Sequence, residues 1–199
     1  AVALWVLHAH AHDAFQVSPI LNATSPTKGC GKTTLQLVVY ALVPKPLLAS
    51  NLSPAVLFRT VETYRPTLLI DEADSFLDDD ELRGVLNSGH VRSGTVLRIV
   101  GDDFEPRAFS TWAAKMLAGI GRRSDTLEDR SITISMRRRM PGERVGRFRL
   151  DRAMDELEPL RRKAWTWARG RLSVLRDADP EMPPLKSDRA ADNWRPLLA

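Results

Sequence analysis

The sequence predicts an α/β fold with three layers, in which a central, mostly parallel β-sheet is followed by a region of helices. Short apolar runs of strand length alternate with helical patterns across residues 20–136. One run, residues 67–70, is almost wholly apolar and ends in acidic residues, which is typical of a strand buried on both faces. Beyond residue 141 the pattern changes to charged helices without a strand.

The individual elements are assigned from apolar spacing and from the Pro and Gly residues between them. The predicted strands cover residues 20–24, 47–50, 67–70, 95–100, 116–120 and 131–136. The predicted helices before residue 100 cover residues 2–15, 33–42, 54–64 and 80–86. The third of these helices has a clear start, because Ser53 can cap it and Pro54 suits the first helical position.

We expect two regions: residues 1–140 form the α/β core with its N-terminal helix, and residues 141–199 form a helical lid. Pro159 is placed where a lid helix could start, and the prolines at 180, 183 and 184 predict a linker. The chain begins without Met and ends within an apolar helical pattern. We therefore expect a segment of a longer protein, with the lid truncated at its C-terminus.

Composition excludes several classes of protein. Apolar residues make up 43% and charged residues 27%, as in ordinary globular domains, which argues against disorder and collagen-like repeats. The one cysteine, Cys30, cannot form an internal disulfide. No apolar run reaches about 18 residues and no basic leader precedes the apolar start. These features predict a cytoplasmic protein that does not span or contact a membrane.

The main chemical signal is the segment Ser-Pro-Thr-Lys-Gly-Cys-Gly-Lys-Thr-Thr at residues 25–34, between a predicted strand and a predicted helix. A phosphate chain is bound by free backbone N–H groups, a helix N-terminus and a cation, and a hydroxyl can hold its Mg²⁺. The pattern matches G-x-x-x-x-G-K-[ST] except that Pro26 replaces the first Gly. The predicted nucleotide-binding residues here are Thr27, Lys28, Gly29, Cys30, Gly31, Lys32, Thr33 and Thr34.

A pair of carboxylates, Asp71 and Glu72, follows the apolar strand 67–70. At the carboxyl end of a buried strand, Asp71 can hold Mg²⁺ together with Thr33, and Glu72 can orient the attacking water. An isolated pair of this kind is often only an acidic turn after a core strand. Together with the upstream loop, the pair predicts ATP and Mg²⁺ as cofactors and favours hydrolysis over transfer of phosphate to another acceptor.

These motifs and a later arginine resemble the AAA+ class of ring-forming ATPases. More narrowly, the chain resembles an uncharacterised P-loop domain family of bacterial, phage and plasmid proteins that often occurs beside primase-like modules. The resembling segments are residues 4–5, 24–34, 50–51, 68–74, 86–90, 101–103, 125–127, 129–131 and 193–196. The resemblance implies a homo-oligomeric ring, a primase-like module in the same chain, and a helicase-like or loader-like ATPase in replication or mobilisation of a phage-type or plasmid-type element.

The resemblance also implies roles for single residues. Arg130 matches the arginine finger that reaches a neighbouring subunit's nucleotide, although it can equally pair locally with Asp129 or Glu128. Asn51 matches an Asn that restrains the catalytic glutamate, with a loop-capping role as the alternative. The usual polar sensor after the fourth strand is not evident, and the substitutes are Arg122 or Arg123, with Arg189 and Arg195 as candidates for a second sensor.

DNA is a candidate partner because the second half of the chain is basic. Residues 101–199 carry 21 Lys/Arg and 16 Asp/Glu, whereas residues 1–100 carry 8 and 9. Six arginines fall within residues 137–149, enough to neutralise several phosphates, although such a run is also typical of a solvated face. Residues 95–111 can form a hairpin with Phe104 at its tip, but the acidic residues beside Phe104 would repel DNA.

Two function classes therefore remain open. The first is a Mg²⁺-dependent ATPase in which Lys32, Glu72 and Arg130 are the catalytic residues. The second is a nucleotide-binding scaffold or DNA-binding adaptor, in which Pro26 and the missing sensor reflect a lost catalytic cycle. A metal site at His8, His10 and His12 is disfavoured, because only the first and last of them share a helix face.

Overall fold

The computed structural model describes residues 1–75, 79–102 and 104–199. Its strands are β1 (Ile20–Ser25), β2 (Pro46–Ala49), β3 (Thr67–Ile70), β4 (Thr95–Val100), β5 (Glu105–Ser110), β6 (Lys115–Ile120) and β7 (Ser131–Ser135). Its helices are α1 (Val2–His10), α2 (Lys32–Leu42), α3 (Pro54–Tyr64), α4 (Asp80–Ser88), α5 (Asp125–Glu128), α6 (Leu150–Arg169), α7 (Leu172–Asp177) and α8 (Asp188–Leu198). Short 3₁₀ turns cover His12–Ala14 and Ala73–Ser75.

A five-stranded sheet in the order β2-β3-β6-β1-β7 forms the centre of the molecule, and every neighbouring pair in it is parallel. The inner strands β3 and β6 are buried along almost their whole length, as expected for a parallel sheet covered on both faces. This arrangement confirms the predicted α/β class with a central parallel sheet. All five carboxyl ends meet at one edge, hereafter the carboxyl edge, and the opposite edge is the amino edge.

The strand predicted at residues 95–100 does not join this sheet. Instead β4 pairs with β5 as a separate antiparallel hairpin, which confirms the hairpin predicted for residues 95–111. Its burial alternates along β4, because one face packs on α4 while the other is exposed. Phe104 lies in the connecting turn with 76% of its surface exposed. Asp103, which was expected to repel DNA there, lies outside the described residues.

Two apolar clusters cover the two faces of the sheet. One joins α3 and α4 to the sheet through residues such as Phe58, Leu86 and Leu117. The other joins α1, α2 and α8 to the sheet through Trp5, Val39 and other buried side chains. Three layers result, as predicted. Helix α1 ends at His10 rather than residue 15, because the chain tightens into a 3₁₀ turn.

The C-terminal helices pack against the rest of the molecule in different ways. Helix α6 packs on α1 and α2, and Leu197 of α8 is buried in the cluster that contains Trp5. The expectation that Pro159 starts a helix is wrong, because Pro159 lies inside α6. Packing of α6 along α2 and α1 offsets the cost of a proline in a helix, which is about 3 kcal/mol.

The predicted linker around the prolines at 180, 183 and 184 falls in the irregular segment between α7 and α8. A second irregular segment, residues 136–149, joins β7 to α6. Among the described helices, none is both long enough and apolar enough to cross a membrane.

Candidate functional site

The loop between β1 and α2, residues 26–31 and hereafter loop 26–31, lies at the carboxyl edge of the sheet. Gly29 and Gly31 have φ of 76° and 85°, a left-handed conformation that glycine adopts without strain. Gly31 is the N-cap of α2, and within the described part of the chain no side chain caps this helix. The first N–H groups of α2 therefore have no helical partner and are available to an anion.

Side chains in and beside loop 26–31 form hydrogen bonds that lead to the carbonyl of Thr27. The Nζ of Lys32 donates to the Oγ of Ser25 at 2.6 Å, and this Oγ donates to the carbonyl of Thr27 at 2.7 Å. Cys30 is buried, and its Sγ donates to the same carbonyl at 3.3 Å. Burial raises the pKa of the Cys30 thiol, but hydrogen bonds from Thr27 and Ser25 and the charge of Lys32 outweigh this and lower it. The side chain of Cys30 thus packs inside the loop and is hydrogen-bonded to the loop backbone.

Thr33 and Asp71, which are distant in sequence, meet at the carboxyl edge. The Oγ1 of Thr33 donates to the Oδ2 of Asp71 at 3.4 Å, and the N–H of Glu72 donates to Oδ1 at 2.9 Å. Glu72 is exposed and has φ of 51°, a conformation that costs a non-glycine residue about 1–3 kcal/mol. A hydroxyl and a carboxylate beside an uncapped helix N-terminus can bind a divalent cation together with a polyphosphate.

Among the described residues, no group of three or more His, Cys, Asp or Glu side chains is arranged to hold a metal ion by itself. The pair of Thr33 and Asp71 fits a different class of site. Mg²⁺ is usually bound through one or two carboxylates, with the phosphate oxygens of the substrate as further ligands. The oxygen donors present therefore fit Mg²⁺ that enters with a nucleotide.

The remaining residues predicted around the loop are exposed. Thr27 and Lys28 lie in loop 26–31, and Thr34 lies on the first turn of α2. Asn51 follows β2, whose neighbour in the sheet is β3, and it is also exposed. Asn51 thus lies beyond the carboxyl end of β2, next to the carboxyl end of β3, which Asp71 follows.

The carboxyl end of β6 has a polar arrangement that differs from the expected sensor. The guanidinium of Arg123 is buried and donates to the carbonyls of Ile120 and Gly121. Asp74 accepts the N–H of Ile120 at 2.9 Å. Arg122 is exposed and forms an ion pair with Asp125 at 2.9 Å. Arg123 therefore stabilises the backbone after β6. The role of Asp74 could not be predicted, because no sequence pattern indicates its contact with β6.

Arg130 lies at the amino edge, because its carbonyl accepts the N–H of the first residue of β1. Its Nη1 donates to the carbonyl of Thr126 at 2.7 Å. Arg189 pairs with Asp129 at 3.5 Å and lines a cavity of about 370 Å³ with Arg130. Burial, followed by the charge of Arg189, lowers the pKa of Arg130. Since β1 has six residues, about 20 Å of strand separates Arg130 from loop 26–31.

The two candidates for a second sensor both have carboxylate partners. Arg189 lies at the amino edge with Arg130, on the opposite side of the sheet from loop 26–31. Arg195 forms an ion pair with Asp179, which follows α7. Neither guanidinium is positioned by these contacts at loop 26–31 of its own chain.

The six arginines of residues 137–149 are all exposed. Two of them have carboxylate partners, since Arg137 pairs with Glu143 and Arg149 pairs with Asp151. A third, Arg138, contacts loop 26–31 through a bond from its Nε to the carbonyl of Lys28 at 2.9 Å. The sequence left two interpretations for this run, a DNA contact and a solvated face, and it did not indicate that Arg138 would contact loop 26–31.

The histidines at 8, 10 and 12 are engaged with different protein groups. His8 is buried and shares a hydrogen bond with Ser18 at 3.1 Å, and burial lowers its pKa to about 3. His10 bonds to the carbonyl of Leu42 at 2.8 Å, and the ring of His12 stacks on Trp112 at 4.1 Å. These contacts fix α1 against the rest of the core.

Comparison with protein families finds similarity in the C-terminal part of the chain. A family model described as "Protein of unknown function (DUF3631)" matches residues 135–199, a range that excludes loop 26–31 and Asp71. The chain is also 41% identical over 63 residues to an "Uncharacterized 28.9 kDa protein in xis 5'region" from Saccharopolyspora erythraea. This alignment covers 32% of the present chain and 23% of the relative, so the chain spans about a quarter of that protein.

Proposed function

We propose that this chain is a Mg²⁺-dependent ATP-binding and ATP-hydrolysing domain with an AAA+-like P-loop fold. The contact of Thr33 with Asp71 carries the proposal, because it joins the start of an uncapped helix to the carboxyl end of a buried strand. Two sequence motifs that were expected to act together thus lie side by side. In open parallel sheets, ligands bind at the carboxyl ends of the strands, where this contact lies.

The residues at the carboxyl edge are proposed to bind different parts of the nucleotide complex. Backbone N–H groups of loop 26–31 and of the first turn of α2 hold the phosphates, and Lys32 supplies a cation once its bond to Ser25 is exchanged. Thr33 and Asp71 hold Mg²⁺, which neutralises charge on the phosphates when it is bound. Glu72, exposed beside Asp71, orients the attacking water and accepts its proton.

Arg130 is proposed to act on the nucleotide of a neighbouring copy in a ring. Its distance from loop 26–31 of the same chain, about 20 Å along β1, supports a role across subunits rather than within one. Arg189 forms an ion pair with Asp129, whereas the described hydrogen bond of the Arg130 guanidinium goes to the carbonyl of Thr126. A guanidinium so placed can stabilise charge on the transferred phosphoryl group.

A role in replication or mobilisation of a phage-type or plasmid-type element, with DNA as partner, is proposed from the exposed arginines of residues 137–149. Contacts with backbone phosphates would make this binding strongly dependent on salt. A primase-like module in the same chain belongs to this proposal.

The proposal is tested by measuring ATP binding and phosphate release with Mg²⁺ for the parent, Lys32→Ala and Glu72→Gln, with the exposed Lys163→Ala as control. We expect Lys32→Ala to lose binding and turnover together. We expect Glu72→Gln to keep its affinity for ATP while turnover falls about 100-fold or more, because only proton transfer is removed. Hydrolysis by Lys32→Ala at the parent's rate would refute the proposal.

The second candidate is a nucleotide-binding scaffold or DNA-binding adaptor without turnover. It is favoured by Pro26 in place of the expected glycine and by Arg123, which is occupied with backbone carbonyls. Adding single-stranded DNA to the same assay separates the candidates. Stimulated phosphate release supports the ATPase, tight binding without release supports the scaffold, and phosphate moved onto an added acceptor would indicate a kinase.

A further inference from the structure

The extended chain that leaves β7 runs along loop 26–31. The N–H of Met136 still donates to β1, at the carbonyl of Thr24, over 2.8 Å. The side chains of Met136 and Arg138 lie next to the two glycines of loop 26–31 that have positive φ. The Cε of Met136 lies 3.6 Å from the place of a Cβ on Gly31, and the Nε of Arg138 lies 3.8 Å from the place of a Cβ on Gly29.

Alternation along an extended chain explains this arrangement, because residues two apart project to the same side. Arg137, between them, bonds instead to both carboxylate oxygens of Glu143. Glu143 also accepts the N–H of Met140 at 2.7 Å, which closes a turn. Its hydrogen bond with Arg137, followed by that from Met140, lowers the pKa of Glu143 to about 2. The turn keeps Arg138 facing the loop.

Arg138 carries a charge that no carboxylate balances among the residues the structure describes. Its Nε donates to the carbonyl of Lys28 at 2.9 Å, whereas the other five arginines of the run do not contact loop 26–31 through any described bond. A guanidinium has five N–H donors, and this bond uses one. The two Nη groups therefore remain for an anion beside the free N–H groups of the loop.

We propose that Arg138 is a nucleotide-binding residue of the same chain, whose guanidinium contacts the polyphosphate held by loop 26–31. This inference rests on the proposed function and extends it. Arg138 also belongs to the arginine segment 137–149. A nucleotide held by loop 26–31 would therefore lie beside the start of the proposed DNA-binding surface.

The test measures the binding of ATP and of inorganic tripolyphosphate to the parent, Arg138→Ala, Arg138→Lys and Arg138→Gln. Arg152→Ala is the matched control, because Arg152 is an exposed arginine on α6, outside the segment 137–149. We expect Arg138→Ala to weaken both ligands about 10- to 100-fold, the range for charged hydrogen bonds. Arg138→Lys should regain part of this loss, and Arg152→Ala should bind both ligands like the parent.

Arg138→Gln separates a role in binding from a role in holding the loop, because it keeps an N–H donor without the charge. Affinities of Arg138→Gln or Arg138→Ala equal to the parent's would overturn the inference. If the parent, Arg138→Ala and Arg152→Ala bind ATP equally while only Lys32→Ala fails, the proposed function stands and Arg138 has no part in it. If the parent binds neither ATP nor tripolyphosphate, the proposed function itself fails, and the inference with it.

Discussion

Lys115, the first residue of the central strand β6, has a buried amino group. Its side chain is 2% exposed, and its Nζ donates to the carbonyls of Gly89 and Ala113 at 2.6 and 2.8 Å. Burial lowers its pKa from 10.5 to about 7, because the charged form loses hydration that two carbonyls replace only in part. Lys115 therefore links the stability of the core to pH.

Between pH 7 and 10.5 the unfolded chain keeps a proton on Lys115 that the folded chain has released. Stability from this group therefore rises with pH through that window and is lowest below pH 7. We expect the advantage of the parent over Lys115→Met in free energy of unfolding to grow by roughly 2 kcal/mol from pH 7 to pH 9. Urea denaturation at both pH values measures it.

The exposed Lys163→Met is the control for this measurement, because its pH dependence should match that of the parent. A difference between parent and Lys115→Met that stays constant from pH 7 to pH 9 would contradict the prediction.

Among single residues, the sequence identifies those that belong to one continuous motif. Gly31, Lys32 and Thr33 were predicted together because the motif is continuous, and the structure does bring Thr33 to Asp71. Lys115 and Arg123 could not be predicted, because a lysine or arginine next to a strand is exposed in most sequences. Their burial follows from the central position of β6 in the sheet.

Helix α8 is held at its polar side by one buried amide. The Nδ2 of Asn193 donates to the carbonyl of Asp129 at 2.9 Å, and its Oδ1 accepts from the Nε2 of His90 at 2.7 Å. Asn193 thus joins α8 to the chain just before β7 and to the end of α4. Removing this amide would leave the carbonyl of Asp129 and the Nε2 of His90 without these hydrogen bonds.

We expect Asn193→Ala to lower the free energy of unfolding by about 1–3 kcal/mol, the cost of unpaired buried polar groups. Its exposed neighbour Asp192 provides the control, since Asp192→Ala should change stability by no more than about 0.5 kcal/mol. Thermal or urea denaturation of the two variants gives the comparison. Equal stability of both would show that the amide contributes nothing.

Elements with local signals were predicted well, and elements that depend on tertiary packing were not. Helix α3 and strand β3 have the predicted bounds, because proline and a capping serine delimit α3 and a dense apolar run defines β3. Helix α5 was missed because four residues show no periodicity. Continuation of α6 through Pro159 depends on its contacts with α1 and α2, which local sequence does not reveal.

At the scale of the molecule, the two edges of the sheet carry complementary parts of the proposed site. The carboxyl edge carries loop 26–31, and Arg130 lies at the amino edge. If each nucleotide is completed by a neighbouring copy, Arg130→Ala and Lys32→Ala should each be inactive alone. Mixing them should restore phosphate release, because Lys32→Ala supplies Arg130 to the intact nucleotide site of Arg130→Ala.

Phosphate release per molecule of the parent should also rise with protein concentration, which an assay over a dilution series measures. Full activity of Arg130→Ala alone, unchanged by dilution, would remove the cross-subunit role while leaving nucleotide binding untouched.

The overall class of the fold could be predicted from alternation of strands and helices, but the order of the strands could not. Strand order depends on long-range contacts such as β1 with β6, which no local pattern specifies. The boundary at residue 140, between the core and a helical lid, stays a prediction. Helix α8 adds Leu197 to the apolar cluster of α1 and α2, and α6 contacts both of these helices, which the charged pattern did not indicate.

The position of β1 between β6 and β7 has a consequence for how the chain is made. During synthesis β1 emerges before both strands that flank it, which are translated about a hundred residues later. Until then the backbone N–H and C=O groups of β1 have no strand partner, and they can pair with other nascent chains. Rapid translation of the segment between β1 and β7, or a chaperone bound to β1, would limit such pairing.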